Sequence, residues 1–234
     1  MSFYSRYRPA RFSQVLGQQQ VVGILKSQAA AGRFHHAYLM YGASGSGKTS
    51  TARILAMALN CLSVDGTGEP CGRCHSCRSV VEGRGWDVAE IDGAQLRGID
   101  DIRELKQKAC LSPMGKRKVY IIDEAHMLTE AAWNGMLKLL EEPPPHLVVI
   151  LCTTQADKLP VTVKSRCQLY PFQPLRPEEV KGKLELIAKC EGIELDPRHL
   201  QFIVDSAGGN MRSAENLLEQ VVSLKSQRRR TWMT

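Results

Sequence analysis

Ala37-Tyr38-Leu39-Met40-Tyr41-Gly42-Ala43-Ser44-Gly45-Ser46-Gly47-Lys48-Thr49 is the stretch whose reading decides the fold. An apolar strand runs into a glycine-rich turn and then into a helix, Ser50 to Leu59. The turn fits G-x-x-x-x-G-K-[ST], the phosphate loop. Gly42, Gly45 and Gly47 let the backbone curl so that successive N–H groups face inward with no Cβ in the way. Those donors and the positive end of the following helix make an anion site, to which Ser46 and Ser50 belong. Lys48 reaches the outer phosphates, and the Thr49 hydroxyl suits Mg²⁺, which keeps several waters and takes one or two protein oxygens.

Apolar strands continue outward from this unit: Asp87 to Ile91, Val119 to Ile122, Leu147 to Leu151 and Gln168 to Phe172. Helical patterns lie between them, at Val21 to Ala31, at Gly98 to Ala109, and from a Thr129 cap through Leu140, where Pro143-Pro144-Pro145 stops the helix. Strands alternating with amphipathic helices predict a parallel sheet covered on both faces. Beyond Pro174 only helices follow. One starts at Pro177, one at Asp196-Pro197 and one after Asn210. The expected fold is therefore α/β over 1–174 followed by a small all-α domain over 175–234. Residues 1–17 lack periodicity and read as an N-terminal coil, with an arm beside the nucleotide base as the alternative.

Composition narrows the class. Of 234 residues, 43% are hydrophobic and 24% charged, ordinary for a soluble globular protein. The longest apolar run, Leu147 to Cys152, is too short to span a bilayer, and the N-terminus lacks a signal-peptide core, so a cytoplasmic protein is expected. The net charge of +7 suits a polyanion such as nucleic acid, although Arg228-Arg229-Arg230 supplies part of it.

Cys61, Cys71, Cys74 and Cys77 are spaced C-x9-C-x2-C-x2-C within a loop bent by Gly66, Gly68, Pro70 and Gly72. Three readings compete. Four thiolates enclose structural Zn²⁺ tetrahedrally, and this reading is favoured. An iron–sulfur cluster is weakened by the upstream position of the fourth cysteine and by the lack of a Cys-Pro. Four unligated thiols in so short a span would be readily oxidised. His75 lies among the ligands, but the cysteines already complete the shell. The expected module covers about residues 61–80.

In an open parallel sheet, ligands bind at the carboxyl ends of the strands. The third strand ends in Asp123-Glu124: the first suits Mg²⁺, and the second suits orienting and deprotonating water. The fourth ends in Thr153-Thr154, hydroxyls suited to sensing a γ-phosphate or to simple capping. Phosphoryl transfer also needs cationic charge beyond Lys48. Arg166, in Ser165-Arg166-Cys167, and Arg212 are the candidates, and pattern does not choose between them.

Taken together, these motifs are specific. Tyr7-Arg8-Pro9 with Val15-Leu16-Gly17-Gln18, His35-His36-Ala37-Tyr38-Leu39, the phosphate loop, the cysteine insertion, Val119 to Glu124, Leu137 to Pro143, Thr153-Thr154, Leu159-Pro160-Val161-Thr162 and Ser165-Arg166-Cys167 span nearly the whole chain. It resembles the γ/τ-type ATPase subunits of bacterial DNA polymerase III clamp loaders, members of the AAA+ family. The intact phosphate loop sets it apart from the δ′ type. The resemblance implies a five-stranded AAA+ phosphate-loop ATPase domain with a zinc insertion, then a helical lid. It implies ATP, Mg²⁺ and Zn²⁺, and ATP hydrolysis within a DNA polymerase holoenzyme. Implied partners are δ- and δ′-type subunits, further γ/τ copies, the sliding clamp and primed DNA.

It also implies roles for single residues. Arg166 becomes a finger acting on a neighbour's ATP, Thr154 the sensor on the fourth strand, and Arg212 a second sensor. Arg8 and Pro9 border the adenine, and Arg97 faces DNA. Gly209-Asn210-Met211-Arg212-Ser213-Ala214 departs from the more usual Gly-Ser-x-Arg-Asp-Ala around that second sensor. The family's collar domain is absent, so the chain is expected to be a fragment, mainly monomeric and slow as an ATPase. Two rival functions remain: an ATP-bound scaffold that does not hydrolyse, and a zinc module that binds DNA through Arg73 and Arg78.

Overall fold

Strand β1 (Ala37–Gly42) shows how the sequence makes the core: Tyr38 and Met40 enter one apolar layer, Ala37 and Leu39 the other. The same alternation recurs in β3 (Lys118–Asp123) and β4 (Leu147–Thr153). Val119, Ile121, Val148 and Ile150 join the first layer; Tyr120, Ile122, Val149 and Leu151 join the second. A strand buried on both faces needs apolar residues at every position, which is why these read as continuous runs. The structure is a computed structural model that describes residues 2–96 and 98–231. Side chains are described except at Ile99 and from Leu224 onward, so the Arg228–Arg230 run lies outside them.

With β2 (Val88–Asp92) and β5 (Gln168–Phe172), the strands form one parallel sheet in the order β2-β3-β4-β1-β5. Tyr38 stands between Ile150 and Gln168, and Val119 beside Val148. This register brings Tyr41 beside Thr153 and Asp92 beside Asp123, so the carboxyl ends of β1, β3 and β4 emerge together.

Ten helices are described. They are α1 (Phe3–Arg6), α2 (Gln19–Ala31), α3 (Lys48–Asn60), α4 (His75–Val81), α5 (Ile99–Cys110), α6 (Glu130–Glu141), α7 (Val161–Lys164), α8 (Pro177–Cys190), α9 (Pro197–Ala207) and α10 (Met211–Thr231). Residues of α2, α3 and α4 pack on one face of the sheet, and those of α5, α6 and α7 on the other. The Thr129 hydroxyl accepts the Ala132 N–H at 3.2 Å and caps α6 as its sequence predicts. Helix α4 is not announced by its glycine- and cysteine-rich surroundings. It forms because Cys77 and Val80, one turn apart, are both buried beside α3.

The chain divides into two compact units. One comprises Pro9–Gly42 and Lys48–Phe172, the sheet with its helices. The other comprises the N-terminal residues through Arg8, Ala43–Gly47, and the chain from Gln173 onward. In the helical unit, Val180, Leu184, Ile187, Leu200, Ile203, Ala214 and Leu218 form the interior. Pro177 opens α8 at its first position, the Asp196 carboxylate caps α9, and Asn210 Oδ1 accepts the Ser213 N–H at 3.1 Å to cap α10. The turn Ala43–Gly47 belongs here because Met211 donates its N–H to the Gly45 carbonyl at 3.4 Å.

The N-terminal residues are not coil, which corrects the sequence reading. Phe3 is buried, the Tyr7 hydroxyl donates to Glu191 at 2.6 Å, Arg6 pairs with the same carboxylate, and Lys183 donates to the Tyr7 carbonyl. The determinants lie nearly two hundred residues away, where no local periodicity registers them.

Candidate active site and metal centre

The turn after β1 has the backbone its glycines allow: φ is +143° at Gly42, +71° at Gly45 and +100° at Gly47. Space matters as much as torsion. A Cβ at Gly42 would lie 2.1 Å from the Phe172 carbonyl oxygen, and one at Gly45 would lie 1.9 Å from Asn210 Oδ1. Ser46 is buried and donates its hydroxyl to the Ala43 carbonyl at 2.7 Å, which closes the turn. Lys48 is also buried, with its ammonium 2.8 Å from the Gly42 carbonyl oxygen. Ser50 follows as a buried residue in the first turn of α3.

Across the sheet end, the Thr49 hydroxyl donates to Asp123 Oδ2 at 3.0 Å. Adjacent ligands of an octahedral Mg²⁺ sit about 2.9 Å apart at the usual bond lengths. The two oxygens therefore fit neighbouring corners of such a shell. Burial pushes the Asp123 carboxyl up, while the Thr49 hydroxyl and the Glu124 N–H work the other way by hydrogen bonding to the carboxylate.

Glu124 is the one non-glycine residue with positive φ among those described (φ 46°, ψ 49°). A left-handed glutamate costs roughly 1 kcal/mol or more of backbone strain. The turn brings its carboxylate to Thr154, which donates its N–H at 3.2 Å and its hydroxyl at 3.0 Å. His126 Nδ1 lies 3.2 Å from the same oxygen. The threonine pair is thus divided: Thr154 serves Glu124, while the buried Thr153 hydroxyl meets His126 at 3.0 Å and the Gln155 N–H at 3.1 Å.

Two residues here were not singled out in the sequence. His126 bridges both strand ends, and a histidine after an acidic pair carries no signal of its own. Gly93 lies where a Cβ would stand 2.6 Å from the Glu124 carbonyl oxygen, so the strained turn needs a glycine beside it.

The arginines occupy different surroundings. Arg166 donates to the Thr162 carbonyl at 2.7 Å and to Glu141 at 2.6 Å, in an open cleft lined by His36, Ser165 and Cys167. In the helical unit, Arg212 donates to the Tyr4 hydroxyl at 2.6 Å, as does Arg8. Pro9 begins the sheet-bearing unit and is half-buried. Arg97 lies outside the described residues.

The four cysteines converge. Their sulfurs all lie within 4.8 Å of one another, with Cys71 and Cys77 at 4.0 Å. Tetrahedral zinc with ordinary Zn–S bonds puts sulfurs about 3.8 Å apart, so the cage fits with small adjustment. Backbone N–H groups of Ser63 and Cys71 point at Cys61, and that of Cys74 at Cys71. The Cys71 thiol drops to about 6: burial opposes this, but the Arg73 and Cys74 N–H groups favour the thiolate. Burial pushes Cys61 and Cys77 the other way. The loop is anchored by the buried Glu69, which accepts the Phe12 and Ser13 N–H groups at 2.8 Å and pairs with Lys26 at 3.2 Å. Cys61 itself follows the last residue of α3.

Comparison with known proteins agrees with this architecture. A family model described as "DNA polymerase III, delta subunit" matches residues 17–176. A curated relative, the DNA polymerase III subunit gamma/tau of Mycobacterium bovis, is 42% identical over 95% of this chain and 39% of its own length. The DNA polymerase III subunit tau of Bacillus subtilis is 40% identical over 95% of the chain, again with 39% of its own length. This chain therefore spans about two fifths of such relatives. Among solved structures, the Thermotoga maritima RuvB Holliday junction branch migration motor superposes with a TM-score of 0.72 at 19% identity, over 95% of this chain and 67% of that one. The two chains share a fold, built on the five-stranded parallel sheet with helices on both faces.

Proposed function

The chain belongs to the DNA polymerase III subunit family matched by the delta-subunit model, and from that premise we propose that it is an ATP-binding and ATP-hydrolysing subunit of gamma/tau type. In this reading it drives an assembly that loads a sliding clamp onto primed DNA. One observation carries the proposal: a complete phosphate loop whose Thr49 stands 3.0 Å from Asp123, beside a Glu124 that Thr154 orients.

The division of labour follows from the chemistry. Backbone N–H groups of Gly45 to Thr49 and the Lys48 ammonium bind the phosphates. Thr49 and Asp123 would hold Mg²⁺, which when bound would neutralise phosphate charge. Glu124 takes a proton from the attacking water, and Thr154 keeps its carboxylate aimed. Arg166 serves ATP on a neighbouring subunit, and Arg212 reads the γ-phosphate of its own. Arg8 and Pro9 border the base. Nothing in this constellation supports assigning nucleotidyl transfer to the chain; the polymerase activity of the holoenzyme lies elsewhere in this reading. Further γ/τ copies, δ- and δ′-type subunits, the clamp and primed DNA are its proposed partners, in the cytoplasm. Among the described residues, no helix is long and apolar enough to cross a membrane.

Lys48→Ala tests the phosphate site. Removing a buried ammonium that hydrogen-bonds two phosphates should weaken ATP binding by about a hundredfold or more. Binding of a fluorescent ATP analogue measures it, and unchanged affinity would move the nucleotide elsewhere.

The cysteine cage is proposed to hold one structural zinc, because its shell is closed and it is braced on α2 and α3. Metal analysis should give one zinc per chain. Stripping it with a chelator should lower Tm by about 10 °C, the scale of several kcal/mol in a chain of this size. A stripped protein with unchanged Tm would refute the structural role.

A further inference from the structure

Arg212 is exposed, yet it is held. Its guanidinium carbon lies 4.4 Å from the centroid of the Tyr4 ring, and its Nη2 donates to the Tyr4 hydroxyl at 2.6 Å. Arg8 makes the same pair of contacts with the same ring, at 4.6 Å and 2.6 Å. Both distances are well within cation–π range. The phenol oxygen has two lone pairs, and the two guanidiniums occupy both. Arg8 Nε is buried without a hydrogen-bond partner, so the tyrosine carries much of the attachment.

We propose that Tyr4 is a positioning residue for Arg212, fixing the guanidinium that discriminates ATP from ADP and tying it to Arg8. The proposal rests on the reading of Arg212 as the second sensor. Arg212 sits in the first turn of α10, immediately after the residues that touch the phosphate turn: the Met211 N–H donates to the Gly45 carbonyl, and Asn210 packs against Gly45. A free arginine at that place would sample many rotamers and lose that side-chain entropy on meeting a phosphate. An arginine already held by a ring and a hydroxyl loses less, because its order is built in beforehand. Two guanidiniums on one ring repel each other. The buried Glu215, one turn along α10 from Arg212, offsets this together with its attraction to Lys183. Burial pushes that carboxyl up to about 7, and Lys183, Arg8 and Arg212 draw it back toward the ionised form. Tyr4 itself is fixed from both sides in sequence, by the buried Phe3 and by the Tyr7–Glu191 hydrogen bond.

The test compares Tyr4→Leu, Tyr4→Phe and Arg212→Ala in the whole chain. The probes are ADP and a slowly hydrolysed ATP analogue, with affinities measured by calorimetry. Tyr4→Leu should weaken the ATP analogue about tenfold and ADP by less than about twofold, the scale of one cation–π contact and one charge-assisted hydrogen bond. Tyr4→Phe keeps the ring and should retain about half of that free-energy preference. Equal losses for both nucleotides in Tyr4→Leu would mean that Tyr4 maintains the fold of the arm and would overturn the proposal. So would an unchanged preference in Tyr4→Leu alongside a lost preference in Arg212→Ala. If Arg212→Ala itself leaves the preference intact, the second-sensor reading falls and the proposal falls with it.

Discussion

Arg166→Ala is expected to lower ATP turnover of the assembled complex by about a thousandfold, while the variant chain binds ATP as tightly as wild type. The γ-phosphoryl group gains charge on its outer oxygens as it departs, and a cation placed there stabilises the transition state more than the ground state. In the proposed mechanism Lys48 supplies one such charge from within the chain. Arg166 donates to Thr162 and Glu141, at the ends of α7 and α6, and its cleft is open. Its ion pair with Glu141 is about one-third exposed on the arginine side, so it is cheap to exchange for a phosphate. A finger that serves a neighbour should leave the variant's own nucleotide affinity untouched, whereas a residue of the chain's own site would change it. Turnover and equilibrium binding, measured on the same preparation, separate the two.

Glu124→Gln should trap ATP: binding is retained, and single-turnover hydrolysis falls by about 10²–10⁴-fold, the usual worth of a general base. Glutamine keeps the shape and still accepts from the Thr154 N–H and hydroxyl, so the turn should stand. It loses the basicity that takes the proton. The strained backbone at Glu124 supports a chemical role, since a left-handed glutamate persists where its surroundings impose it. An inert scaffold would show no difference between the variant and wild type.

Much of this site was legible because its parts are local. The glycines, Lys48 and Thr49 are adjacent, and Asp123-Glu124 ends an apolar strand, so motif and periodicity suffice. The same holds for the cap at Thr129, read from that residue and the helix beside it. Illegible features depend on residues far apart in sequence. Gly93 matters because of the Glu124 carbonyl, and Asn210 because of Gly45. The N-terminal residues read as coil because Glu191, Lys183 and Arg212 order them, and no window of sequence contains both partners. Helix α4 was hidden for another reason. Its residues are chosen to place Cys77 toward the other sulfurs, and seven residues are too few to show a period. The paired strands β3 and β4 end side by side, so that the residues that follow them, Glu124 and Thr154, meet.

The most direct test of the central claim is phosphate release by the wild-type chain assembled with the proposed δ- and δ′-type subunits, with the clamp and primed DNA added singly and together. An ATP-driven loader predicts slow release alone and a marked rise when both are present. Stoichiometric ATP binding with no phosphate release under any combination, in a complex shown to be assembled, would contradict the motor and leave an ATP-bound scaffold in its place.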